Sequence, residues 1–229
     1  MIQKVDLAAV AKKLTEPYML VDLAHVDDFA ARLFLCHGGI AWHKHIDEDE
    51  LFLVLEGEMA LESEWGSHTL RAGEMAVVPK GVTHRSASTT GAVVFLFQRR
   101  LFSNRQNGRR RLFVLQGQGS LLKANVEKRA QTLSPFSTLD LAYVDDFVVQ
   151  AAVCQGRSEW RTNPRTMLLL MQEGETQLET EVGQTLIKEG EMARIPRGTL
   201  HRLLAEGRGV SLLFARKPSG EMNESHSGR

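Results

Sequence analysis

Gly38 to His84 reads GGIAWHKHIDEDELFLVLEGEMALESEWGSHTLRAGEMAVVPKGVTH, and its polar residues decide what the chain can be. In an extended strand alternate side chains share a face, so in Trp42-His43-Lys44-His45 both histidines point one way and Lys44 the other. After an acidic bend, Ile46-Asp47-Glu48-Asp49, a second strand starts at Glu50. Its alternation places Glu50, Phe52 and Val54 on one face and Leu51, Leu53 and Leu55 on the other. A strand apolar on both faces is buried on both, and a carboxylate at its start needs a partner, since an unpaired buried charge costs several kcal/mol, roughly. A metal ion would serve. The stretch from Gly73 to His84 reads as turn, strand, a tight Pro79-Lys80-Gly81 turn, and then a histidine aimed by that turn.

These residues resemble the motifs of the cupins. The first cupin motif, G(x)5HxH(x)3-4E(x)6G, is matched by His43, His45, Glu50 and Gly57, with Gly38 standing one residue too close to His43. The second, G(x)5PxG(x)2H, is matched by Gly73, Pro79, Gly81 and His84 without a spacing error. The resemblance implies a small β-barrel that holds one divalent transition metal at His43, His45, Glu50 and His84. Mixed imidazole and carboxylate ligation suits Mn, Fe, Co, Ni or Zn.

An internal repeat sets the organisation. Leu23-Ala-His-Val-Asp-Asp-Phe29 returns as Leu141-Ala-Tyr-Val-Asp-Asp-Phe147, and Gly73, Pro79, Gly81 and His84 return as Gly190, Pro196, Gly198 and His201. The expected fold is all-β, two tandem jelly-roll-like cupin barrels (a bicupin) with a short helical segment before each. Domain limits are 1–98 for the first barrel, 99–121 for a linker, 122–216 for the second barrel and 217–229 for a flexible tail. Apolar spacing from Val5 to Leu14 suggests a helix leading into an edge strand.

The second barrel keeps the scaffold and changes the donors. Aligning Trp42 with Trp160 sets Arg161 at the place of His43, Asn163 at His45 and Met167 at Glu50, while His201 persists. Arginine has no lone pair to donate, and a thioether is a poor ligand for hard divalent ions. No metal is expected there. Arg161, with Arg165 and His201, would bind an anion, or the barrel is a structural partner only.

The 28 basic and 28 acidic side chains of this 229-residue chain balance, so no global field draws it to nucleic acid or an anionic membrane. No apolar run approaches the ~20 residues of a membrane span, and nothing resembles a leader peptide, so the expected location is the cytoplasm. Arg99 to Arg111 is rich in arginine but carries no basic nucleic-acid-binding motif, and reads as a solvated linker. Cys36 and Cys154, one per repeat, read as buried thiols of a reduced protein. The expected partner is a small molecule. Packing of the two leucine faces against each other, or in a homodimer, is expected as well.

Candidate pocket residues are Trp42, Phe52 and Val54, with Met75 or Val77 and Phe95 or Phe97, while Arg32 or Arg85 would anchor an anionic substrate group. Glu50 is the candidate catalytic group. The Asp47–Asp49 loop reads as a solvated bend. Two functions remain open: a metal-dependent enzyme of dioxygenase, isomerase or lyase type acting on a small organic molecule, or a non-catalytic binding or sensing protein with a structural metal.

Overall fold

Short alternating strands joined by glycine turns close here into two β-barrels in tandem. The computed structural model describes residues 2–100 and 119–217. The Arg-rich segment falls almost wholly outside the described residues, as does the tail from 218 onward.

The first barrel is built from β2 (Val21–Val26), β3 (Phe29–Gly39), β4 (Glu50–Ser63), β5 (Gly66–Arg71), β6 (Glu74–Val78) and β7 (His84–Arg99). The second uses β9 (Thr138–Val144), β10 (Phe147–Arg157), β11 (Met167–Glu173), β12 (Glu175–Thr180), β13 (Gly183–Lys188), β14 (Glu191–Ile195) and β15 (His201–Arg216). Every pairing between these strands in the described residues is antiparallel, and in both barrels the long last strand is central, with β7 between β3 and β4 and β15 between β10 and β11. Corresponding hairpins turn on aspartates with positive φ, Asp27 at 52° and Asp145 at 50°. Asp tolerates the left-handed region better than most residues.

Ahead of each barrel the order is strand then helix, not the helix then edge strand that the apolar spacing suggested. β1 (Gln3–Asp6) precedes α1 (Leu7–Ala11), and β8 (Lys123–Asn125) precedes α2 (Val126–Ala130). The helices are short, and each is capped by the residue that ends the strand: Asp6 Oδ1 accepts from Ala9 N and Asn125 Oδ1 accepts from Lys128 N, both at 2.9 Å. The strands are exchanged. β1 pairs with β14 of the second barrel, Gln3 opposite Arg194, and β8 pairs with β6 of the first, Glu74 opposite Asn125.

Strand parity sorts the apolar residues into three clusters. Phe34, Cys36, Phe52, Val54, Ala76, Val78, Val94 and Leu96 fill the first barrel, and Cys154, Met167, Leu169, Ala193 and Leu213 fill the second. The largest cluster lies between the barrels, where Leu51, Leu53, Phe29, Phe95 and Phe97 meet Phe147, Leu168, Leu170, Leu212 and Phe214. Aromatic rings lock it, with Phe29 4.6 Å from Phe147 and Phe97 4.9 Å from Phe214 between centroids. Met75, Val77, Phe95 and Phe97 therefore belong to the contact between barrels rather than to the first cavity. The register explains it: Glu50 lies opposite Val78 and Gln98, and Phe52 opposite Ala76 and Leu96, so these partners share the inward face.

Candidate metal centre

Two strand-like segments bring the histidines together. His43 N donates to His84 O at 3.0 Å and His84 N to His43 O at 2.9 Å, a directly opposed pair whose rings stand 4.4 Å apart. The Pro79–Gly81 turn that delivers His84 closes on the first segment, since Gly81 N donates to His45 O at 2.6 Å. Gly81 takes φ 84°, which its missing Cβ allows. Glu50 enters from β4.

One ligand-type atom from each of His43, His45, Glu50 and His84 lies within 4.8 Å of the others, a group able to hold a metal ion. His84 Nε2 is 2.9 Å, and His45 Nε2 3.2 Å, from Glu50 Oε2. The tautomers fit this use. His43 Nδ1 faces Ala41 O at 2.9 Å and His84 Nδ1 faces Val82 O at 3.1 Å. A carbonyl only accepts, so both Nδ1 atoms carry the proton and both Nε2 atoms keep a lone pair. Burial pulls the His43 pKa below its ordinary value, which favours the neutral ligand form. Buried Glu50 Oε2 and His84 Nε2 have no hydrogen bond of ordinary geometry to satisfy them, as expected of atoms that serve an ion.

Around the four donors stand residues whose roles the sequence reading missed. Glu48 is 1 % exposed, and its Oε1 lies 3.2 Å from His45 Nδ1, a carboxylate backing an imidazole as in many metal sites. Asp49 accepts from Lys80 N at 2.8 Å and from Asp145 N at 2.7 Å. The acidic loop is thus no solvated bend: two of its three carboxylates are built into the structure. Its i, i+3 spacing from His45 is the signal that could have found Glu48. Gln98, opposite Glu50 in the register, donates its amide to Glu50 Oε1 and accepts from Arg32 Nη1 at 2.8 Å. It has the same parity as His84 on β7, so an inward amide was legible there.

The proposed substrate anchors are already engaged. Arg32 does point inward, 8 % exposed, but it bonds Gln98 and, through Nε, Asp22 Oδ1 at 2.7 Å. Arg85 is paired with Glu62 at 2.9 Å and lies over the Trp42 ring at 5.2 Å. Neither guanidinium is presented to the cluster as a bare cation. Phe52 and Val54 line the barrel, and Trp42 is 49 % exposed beside it.

In the second barrel the same backbone frame carries other side chains. Arg161 and His201 exchange the same two backbone bonds, each 2.9 Å, and Gly198 N donates to Asn163 O at 2.8 Å. Asn163 Nδ2 bonds the Met167 sulfur, and His201 Nδ1 donates to Thr199 O at 2.9 Å. Burial, and then the Arg161 charge, pull the His201 pKa down.

Fold and site together define a class: small antiparallel barrels with a histidine and carboxylate cluster inside. The Cupin domain family model matches residues 36–98, which contain all four donors. An uncharacterized protein of Bacillus subtilis (strain 168), YdbB, is 36 % identical over 84 residues, covering 36 % of this chain and 74 % of that protein. The chain belongs to the cupin superfamily. Among solved structures, a Cupin 2 conserved barrel domain protein from Leptotrichia buccalis superposes with a TM-score of 0.73 at 12 % identity, over 94 % of this chain and 96 % of that one. Salicylate 1,2-dioxygenase from Pseudaminobacter salicylatoxidans also gives 0.73, at 13 % identity, over 93 % of this chain and 84 % of that one. At such identity both share the fold with this protein.

Proposed function

We propose that the protein is a bicupin whose first barrel binds one divalent transition metal at His43, His45, Glu50 and His84, and that it is a metal-dependent enzyme acting on a small organic molecule. The observation that carries this reading is the uneven burial of the four donors: Glu50 and His84 are buried while His43 and His45 are half-buried. A cluster sealed on one side and reached from the other leaves room for an exchangeable ligand, as catalytic metal sites do and structural ones do not. When bound, the metal would supply Lewis acidity toward a ligand oxygen, the common ground of dioxygenase, isomerase and lyase chemistry.

The chain's own groups have definable tasks. Gln98 occupies Glu50 Oε1 and leaves Oε2 toward the histidines, where it can also accept a proton from substrate. Glu48 fixes the ring of His45. Phe52, Val54 and Leu96, all buried, form an apolar wall inside the barrel behind the cluster. Since Arg32 and Arg85 are committed to carboxylates, the substrate is held by this wall and the metal side rather than by a charged clamp. The same commitment is what favours the second reading, a non-catalytic sensor in which the ion orients a ligand. Two free buried cysteines support placing the protein in the cytoplasm.

The test is metal analysis of protein purified without chelators, followed by turnover assays against small oxygen-bearing organic substrates with wild type and Glu50→Gln. One bound ion per chain, and a Glu50→Gln variant that keeps the ion but loses turnover, is the expected result. A chain that takes up none of Mn, Fe, Co, Ni or Zn would overturn the proposal.

A further inference from the structure

Among the described residues, the side chains lining the mouth of the second barrel include cations and no carboxylates. A cavity of about 280 Å³ opens there, and Arg161, Arg165 and Arg216 line it without any Asp or Glu. The arginines differ in what already holds them. Arg216 is committed to Asp27, Asp28 and Asp146. Among the described residues no carboxylate pairs with Arg161, and its partial burial at the mouth pulls its pKa below the usual guanidinium value. Its equivalent position in the first barrel holds His43, so the chain has replaced a lone-pair donor by a fixed cation at the same point of the frame.

The rest of the lining selects among anions. Met167, Leu213 and Ala215 give the cavity an apolar wall, and from Arg161, Thr138 and Leu213 a narrower pocket continues inward along Phe136, Ala152 and Leu203. An inorganic oxyanion would leave that surface wet, while an organic acid covers it. The planar guanidinium fork matches a carboxylate in two parallel hydrogen bonds. We propose that the second barrel is a binding site for a small organic carboxylate, which places its charge on Arg161 and its apolar body against Met167, Leu213 and Ala215. The site is independent of the metal in the first barrel.

Titration of the full chain with 4-fluorobenzoate, followed by fluorine NMR, tests this. Saturable binding is expected in wild type and in His84→Ala, with an affinity about tenfold or more weaker in Arg161→Met. Arg161 stands at the mouth of the cavity and outside the apolar cluster that fills the barrel, so the substitution spares the core, and an unchanged melting temperature checks that. Arg161→Lys, which keeps the charge but loses the fork, is expected to fall between. Equal affinity in wild type and Arg161→Met, or binding lost in His84→Ala but kept in Arg161→Met, would overturn the proposal. So would inorganic phosphate binding at Arg161 more tightly than the fluorobenzoate, because the site would then be one for a bare oxyanion.

Discussion

Asp49 and Asp145 clasp each other across the two barrels: Asp145 N donates to Asp49 Oδ2 at 2.7 Å, and Asp49 N to Asp145 Oδ2 at 3.3 Å. Lys80 lies between the two charges, its backbone N on Asp49 Oδ1 and its Nζ 3.1 Å from Asp145 Oδ1. Asp49 precedes Glu50, and Lys80 sits in the turn before His84. The second barrel thereby braces two of the four donors without touching them. Asp49→Ala removes the acceptor of two backbone amides and should cost about 1–3 kcal/mol in urea unfolding. It should also weaken metal retention, read by metal content after dialysis.

Gln98→Leu keeps the size of the side chain but takes the donor from Glu50 Oε1 and the acceptor from Arg32. Metal affinity should drop by roughly ten- to a hundredfold, as for other residues that orient a ligand. His84→Ala should abolish high-affinity binding, while His201→Ala should leave it unchanged. Competition with a chromogenic chelator measures all three.

Leu51→Ala or Leu168→Ala empties a place in the apolar cluster between the barrels, where both are fully buried. Each should destabilise by about 2–5 kcal/mol in denaturant titration. The loss should appear as one transition covering both barrels, since each leucine touches the shared core.

At Gly57 the backbone has φ 80°, and an added Cβ would stand 2.3 Å from Gly91 O. The left-handed region alone costs a non-glycine residue about 1–2 kcal/mol, and the clash adds to it. Gly57→Ala should therefore lower the melting temperature more than Gly81→Ala, where nothing lies within 4 Å of the added atom.

His201 gives the second barrel a pH response. Its pKa is lowered in the folded chain by burial and by Arg161, so below its ordinary value of 6.5 the unfolded chain binds the proton more readily. The stability that neutral His201 contributes is complete above that pH and is lost as pH falls toward its folded value. His201→Gln should flatten this part of the profile, measured as the difference from wild type in urea midpoints at pH 8, 6.5 and 5, spanning about the His titration range.

Much of the fold was legible because it rests on parity and turns. The H-x-H spacing, the start of β4 at Glu50 and the Pro79–Gly81 turn each follow from local rules, and those elements carry the four donors. Parity counted from His84 along β7 would also have excluded Phe95 and Phe97 from the cavity. What lay beyond reach was set by distant partners. An acidic triplet looks like solvent-exposed loop until Asp145, far along the chain, is known to meet Asp49. Nothing in Arg32 or Arg85 reveals that Asp22 and Glu62 already neutralise them, since those pairs depend on strand register. Nor do the few residues of β1 or β8 name the sheet edge they will join.

The exchanged strands impose an order on biosynthesis. Gln3 is made early, yet its partner Arg194 emerges from the ribosome roughly ten to forty seconds later at about 5–20 residues per second. Until then β1 has no strand to join, whereas β14 finds β1 already made. The first half of the nascent chain thus waits on the second at both β1 and β6, and an N-terminal deletion would injure the half translated last, baring β14 to pairing with a neighbouring chain on the polysome.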